Sequence, residues 1–260
     1  MTNIDFTKSE QYTLSIRLSA DGFSFSVHHP QNKEDFYHGF YQVNTSYSMT
    51  ANIKKMFAAI KELSYPYQHT NILIDTERFT TIPFELFEDE HTDDLFHHNF
   101  QQDDNEIILC NILGKSNIAL LFGIDKHAHQ ALIEHLGQAR FFACTSPLTE
   151  HFTRLSQEGN CRKLFANIFP GKMDIYAFDK GKPLLINSFR CKTESDQVYY
   201  LLFIWQQLGF NQENDQLWLR ENTDSSQKLL MELNKFLRKV FILPTENNLP
   251  FDLQTLITCE

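Results

Sequence analysis

Two aspartates and two glycine turns are the residues whose types and positions could do chemistry in this sequence. Asp75 follows Ile72-Leu73-Ile74, a short apolar run that reads as a fully buried strand. Many α/β folds place a functional carboxylate at such a strand end. Asp21 stands directly before Gly22, after a run of alternating apolar residues. Both have plainer readings. Asp-Gly is first a hairpin signal, and Asp75-Thr76-Glu77 also reads as a turn. Pro170-Gly171 marks a second turn late in the chain. His91, Asp94 and His98 are spaced to share one helical face. A metal would need such convergence with deprotonated ligands. A solvated acidic face is the simpler reading, so no metal site is expected.

Other reactive types lack a signature. The five cysteines (Cys110, Cys144, Cys161, Cys191, Cys259) are odd in number, widely spaced and without Cys-x-x-Cys. They read as reduced core thiols, not as a disulfide framework or zinc ribbon. His127 and His129 diverge on a helix, and His28-His29 sits at a strand end before Pro30. There is no Gly-x-Ser-x-Gly and no Gly-x-Gly-x-x-Gly. Gly114-Lys115-Ser116 has Leu109 where a P-loop needs its first glycine, so it reads as a hairpin turn. No catalytic residue is assigned.

Charge narrows the partners. The 260 residues carry 23 basic and 33 acidic side chains, a formal net charge of −10. The excess is local. Residues 79–114 contain nine acids (Glu85, Glu88, Asp89, Glu90, Asp93, Asp94, Asp103, Asp104, Glu106) and no Lys or Arg. Nucleic acid is therefore not an expected partner, since phosphate contacts need clustered cations. Residues 1–10 are polar and lack an apolar h-region, so no signal peptide is expected. Apolar runs such as 118–124 and 199–205 are far below the roughly 20 residues of a membrane span. These features predict a cytoplasmic globular chain. With 24 Phe and 9 Tyr there is ample apolar surface for a core.

The elements that must position these residues show periodicity. Leu14, Ile16 and Leu18 alternate with Ser15, Arg17 and Ser19, which predicts a strand buried on one face. Gly22 is expected to accept a positive φ in the hairpin turn. Phe23, Phe25 and Val27 continue outward, and 36–43 gives a third strand. Ser48 caps a helix with Ile53, Met56, Phe57, Ile60 and Leu63 on one face. The strand 72–74 follows. Near residue 160 the order recurs: Leu164, Ala166 and Ile168, the Pro170-Gly171 turn, strands at 173–178 and 184–189, then a helix opened by a Thr193/Asp196 capping box and closed by Gly209. A strand at 217–219, a helix over 229–237 and a strand at 240–243 complete the pass. Between the copies, Pro83 is expected to open a helix through about residue 100. A hairpin around Gly114-Lys115, helices near 127–136 and 147–158, and a strand at 141–144 follow it.

Turn glycine to helix start spans matched lengths in the two passages, as does helix end to the next strand. This is βββαβ repeated. The pattern resembles the actin-like ATPase, or ribonuclease-H-like, fold. The chain as a whole resembles a bacterial family classed as a domain of unknown function, for which that fold is expected. Residues 14–27, 71–87 and 163–189 carry the resemblance. It implies an α/β, two-lobed architecture: an N-terminal lobe over 1–158, including an acidic helix and middle segment from about 83, and a C-terminal lobe over 159–260.

Active members of the actin-like fold use the two hairpin turns as phosphate clamps and bind ATP with magnesium. The resemblance thus points to Asp21, Gly22, Asp75, Pro170 and Gly171 as nucleotide-site candidates. Both turns depart from the Asp-x-Gly pattern. Phe23 stands where a small residue is usual, and Pro170 removes a backbone donor. The preferred reading is a non-catalytic adaptor that contacts a protein partner through Glu85, Glu88, Asp89, Glu90, Asp93 and Asp94. A nucleotide-binding protein with a degenerate phosphate site is the alternative, and a small-molecule sensor is a third.

Overall fold

A computed structural model describes residues 4–221, 226–244 and 249–259. Three strands open the chain after a short 3₁₀ segment: β1 (Thr13–Leu18), β2 (Phe23–His29) and β3 (Asn32–Tyr41). Helix α1 (Met49–Ala59) follows, with the Ser48 side chain accepting from the Ala51 N–H as its cap. Strand β4 (His69–Ile74) runs parallel to β1. Later come α3 (Lys126–Leu136) and β8 (Arg140–Ala143), and β8 pairs parallel with β4. The first sheet has the order β3-β2-β1-β4-β8.

The second half repeats this plan. Strands β9 (Arg162–Phe169), β10 (Lys172–Asp179) and β11 (Lys182–Arg190) form a meander. Helix α5 (Glu194–Gln207) opens with the expected Thr193/Asp196 capping box. Strands β12 (Gln216–Glu221) and β13 (Val240–Ile242) flank α6 (Ser226–Leu233). The second sheet has the order β11-β10-β9-β12-β13, with the same strand directions as the first. The duplicated βββαβ architecture is therefore present, and both copies gain a fifth parallel strand.

Two compact units divide the chain. The first comprises 1–112, 117–148 and 248–260, and the second comprises 113–116 and 149–247. In the second, Leu164, Ala166, Ile175, Leu201, Trp205, Leu229 and Leu233 form one cluster beneath α5 and α6. The opposite sheet face is covered by α4 (Thr145–Ser156), whose Phe152 stacks on Phe165 at 4.5 Å between ring centroids. Lys163 Nζ donates to the Leu155 carbonyl at 2.7 Å, closing the end of that helix.

The first unit has a helix that periodicity did not reveal, α7 (Phe251–Cys259). Its Leu253 and Leu256 are buried with Leu73 and Cys144. Each such leucine contributes roughly 1.5–3 kcal/mol of burial free energy. This helix explains a corrected expectation. β1 is buried on both faces, not one: Thr13, Ser15 and Arg17 are as enclosed as Leu14, Ile16 and Leu18.

The segment after β4 also differs. Pro83 does not open a helix. It ends β5 (Phe79–Pro83), the edge strand of a separate sheet β5-β7-β6 with β6 (Glu106–Leu113) and β7 (Ile118–Asp125). Thr80, Thr81 and Ile82 favour strand, and an edge strand tolerates a terminal proline. The acidic stretch forms two 3₁₀ turns and a six-residue helix, α2 (Thr92–His97). The single helix expected there is absent, so His91, Asp94 and His98 do not share a continuous face. No helix among the described residues is long and apolar enough to cross a membrane.

His151, on α4, supplies a pH test. Burial, then the positive charges of Arg154, Arg220 and Lys115, push its pKa down to about 4. The unfolded chain takes up this proton near pH 6.5, before the folded protein does. Stability is therefore full above pH 6.5 and falls as pH drops toward 4, by about 2 kcal/mol after screening. Both tryptophans, Trp205 and Trp218, lie in the second unit. Denaturant unfolding followed by tryptophan fluorescence should show this loss between pH 7 and pH 4.5, and His151→Gln should reduce it.

Candidate functional site

The tips of β1 and β4 carry the candidate carboxylates. Their frame is set by Arg17, which lies in β1 with only 6% of its surface exposed. Its Nε donates to Asp252 Oδ2 on α7 at 2.6 Å, and one terminal nitrogen donates to Asp75 Oδ2 at 3.0 Å. Burial alone would lower the arginine pKa. The Asp252 and Asp75 charges outweigh it and hold the guanidinium charged, well above its ordinary value. Ser19 Oγ lies 3.0 Å from Asp75 Oδ2 and also hydrogen-bonds Asp21 Oδ1. One hydroxyl proton thus serves two carboxylates. The Asp75 N–H continues the ladder by donating to Leu18 O at 2.9 Å.

Cys144 completes this cluster. It is buried, and burial together with Asp252 pushes its thiol well up, although Arg17 partly offsets them. Such a thiol is a packing group, not a nucleophile. Cys110 and Cys191 are each pushed up to about 11, chiefly by burial. The side chain of Cys259 lies outside the described residues.

A cavity of about 270 Å³ lies beside Asp75. Among the described residues that line it are Asp75, Asp103, Glu106 and Asp125, with Arg78 as the one cation. Arg78 is itself held by Glu106 through two 2.7 Å bonds, and it lies over the Phe100 ring at 5.1 Å. Gly123 makes this pairing feasible, because a Cβ there would overlap the Glu106 carboxylate. Asn105 hydrogen-bonds Asp125, whose other oxygen caps α3 at Ala128 N, 2.7 Å away.

The structure brings Asp21 and Asp75 together through Ser19. Gly22 differs from expectation: it is not among the residues with positive φ. Its need for glycine is steric, since a Cβ would overlap the Phe40 ring. Pro170 and Gly171 lie in the second unit, where Gly171 has φ +82° and its carbonyl accepts from Cys191 N at 3.0 Å. These surroundings are unfavourable to a phosphate that arrives without a cation. Asp75 is engaged by Arg17, the Phe40 ring lies against the turn, and phosphate near Asp75 would meet four carboxylates. Among the described residues no group of three or more His, Cys, Asp or Glu is placed to hold a metal ion.

Glu85, Glu88, Asp89, Glu90, Asp93 and Asp94 are all exposed. They form a solvent-facing skin over Phe96, which is fully buried and packs on Phe100 at 4.7 Å. Phe84 and Leu86, which flank Glu85, are exposed at 47% and 70%. Sequence reading passed over this apolar pair, and it also missed Arg17, Ser19, Arg78 and Asp252. An alternating strand marks Arg17 as solvated. Only its partner 235 residues away shows otherwise.

The buried ion pair gives a stability prediction. Arg17→Met should cost about 3–5 kcal/mol in urea unfolding, because it strands two enclosed carboxylates. Adding Asp252→Leu should recover part of that loss. Hydrogen exchange should locate the weakening in β1 and α7. An Arg17→Met protein as stable as wild type would show that the triad is not structural.

No curated protein matches this chain. Residues 1–240 match the family described as "Protein of unknown function (DUF3822)". A crystal structure from Bacteroides thetaiotaomicron, described as a protein with actin-like ATPase fold and unknown function, is 48% identical over 99% of both chains, with a TM-score of 0.93. A "PilM-PilN type IV pilus biogenesis complex" structure is 10% identical over 89% of this chain and 88% of that one, with a TM-score of 0.57, which speaks to fold alone. With the strand order of both sheets and these matches, the chain belongs to the DUF3822 family of proteins of unknown function and has the actin-like ATPase fold.

Proposed function

We propose that this is a cytoplasmic protein that works by contact with another protein, without turnover of a nucleotide, and that the acidic surface of the β5-β7-β6 insert makes the contact. The observation that carries the reading is the exposed pair Phe84 and Leu86, set among six exposed acids. A small apolar centre rimmed by charge is the usual anatomy of a transient interface. The carboxylates supply long-range attraction for a basic partner and act mainly on its rate of arrival. The engagement of Asp75 by Arg17 supports the same reading, because it takes a candidate metal-positioning carboxylate out of use.

A photo-crosslinking residue in place of Leu86 tests the contact. A discrete adduct should form in cells, and it should be lost when Glu85, Glu88, Glu90 are changed to Gln and Asp89, Asp93, Asp94 to Asn in a protein of unchanged melting temperature. Absence of an adduct, or one indifferent to those charges, would count against the surface.

The competing reading places a nucleotide at the Asp21 and Asp75 tips. A ligand at about 100 times its Kd adds about 2.7 kcal/mol of stability. Thermal melts with millimolar ATP, with and without magnesium, should show no shift. A shift abolished by Asp21→Ala would sink the contact-only reading.

A further inference from the structure

An edge strand is where a sheet can pair with another chain, because alternate backbone N–H and C=O groups there lack a ladder partner. β3 is the outer strand of the first sheet and is ten residues long. Among the described residues no strand pairs with its outer side. Residues 36–43 contain no Asp, Glu, Lys, Arg or Pro. His38 and Phe40 are exposed, Phe40 at 58%. The Phe40 ring lies against Gly22 in the β1–β2 turn, so it leans inward and does not fold over the free edge.

The remaining edges of the two five-stranded sheets are guarded. β11, the counterpart of β3 in the repeat, has exposed Lys182 and Arg190 at its ends and Pro183 within it. Its register with β10 also breaks between Ala177 and Phe178. Charges, a proline and a bulge are the usual means by which an edge refuses a partner. β8 and β13 are only four and three residues long, too short to template a ladder. The duplicated fold thus guards one meander edge and leaves the other open.

We propose that β3 pairs antiparallel with β3 of a second copy of this chain, about a two-fold axis through Gly39. The run Phe36-Tyr37-His38-Gly39-Phe40-Tyr41-Gln42 suits that register. An axis normal to the sheet keeps odd residues on one face and even residues on the other. It sets Tyr37 opposite Tyr41 of the second copy, and His38 opposite Phe40 of the second copy, each pair occurring twice. Directly opposed aromatic pairs stabilise antiparallel strands. At the axis Gly39 meets Gly39 with no side chain between them. Its own sheet already excludes one, since a Cβ there would overlap the Phe25 ring. Tyr37 packs against that ring at 5.9 Å and Tyr41 stacks on Phe23 at 6.0 Å, so these opposed rings are positioned before pairing. Charge favours the same occupant. Two chains of net charge −10 repel on approach, and over 36–42 they meet with no like charges opposed. Such an isologous contact closes as a dimer and joins the two first sheets into one.

Sedimentation equilibrium of the full chain should give twice the monomer mass at micromolar concentration. Phe40→Lys places a charge on the open edge at an exposed position, and it should raise the dimer dissociation constant about tenfold or more with an unchanged circular dichroism spectrum. His38→Lys, at the other exposed position, should do the same. Register is read by cysteine cross-linking. His38→Cys and Phe40→Cys chains, mixed and oxidised, should form a covalent dimer well above the level of wild type or of either variant alone, because residue 38 lies opposite residue 40 and not opposite itself. A chain that stays monomeric throughout the micromolar range overturns the proposal. So does a dimer indifferent to both lysine substitutions, or a mixture that links no better than its single variants.

Discussion

The first unit is organised around one buried guanidinium. Arg17 is enclosed within a strand, and the two carboxylates that compensate its charge come from different parts of the chain. Asp75 fixes the end of β4 beside β1. Asp252 fixes the start of α7 over the same sheet face. Removing Arg17 takes away the cation that both carboxylates share in a poor dielectric, and removing either carboxylate takes away one of the two anchors of the guanidinium. The apolar packing of Leu253 and Leu256 supplies burial energy, and the ion pair supplies register.

The second unit meets the same geometric demand by other means. There the outer face of the sheet is closed by Phe152 stacked on Phe165, with Tyr176 at 4.9 Å. In pairing register, Arg17 faces Leu73 in the first sheet, and Asn167 faces Arg220 in the second. Both copies bury an arginine at this level, on opposite members of the parallel pair. A duplicated backbone has thus kept its strand order while its two covering layers diverged, one ionic and one aromatic.

Local patterns in the sequence predicted the elements whose causes are local. Ser48 and the Thr193/Asp196 box cap their helices through contacts within four residues. The hairpin spacings yielded both meanders. Features whose causes are distant were misread. Ser15 and Arg17 look solvated until α7 covers them, and β5 looks like a helix start until β7 pairs with it. The candidate site shares this divide. Asp21 and Asp75 were legible as strand-end carboxylates, but the partner that engages Asp75 was not.

The position of α7 in the chain has a consequence for synthesis. The helix that closes the first unit follows the second unit, Thr149–Asn247, in sequence. At typical elongation rates those residues take roughly 5–20 s to emerge. Throughout that interval β1 is made but its outer face is bare, and Arg17 has one carboxylate in place of two. The nascent first unit therefore passes through a stage with an open apolar sheet face around Leu73 and Phe142. Such a stage is where a chaperone would engage this chain, and where slow translation would favour aggregation.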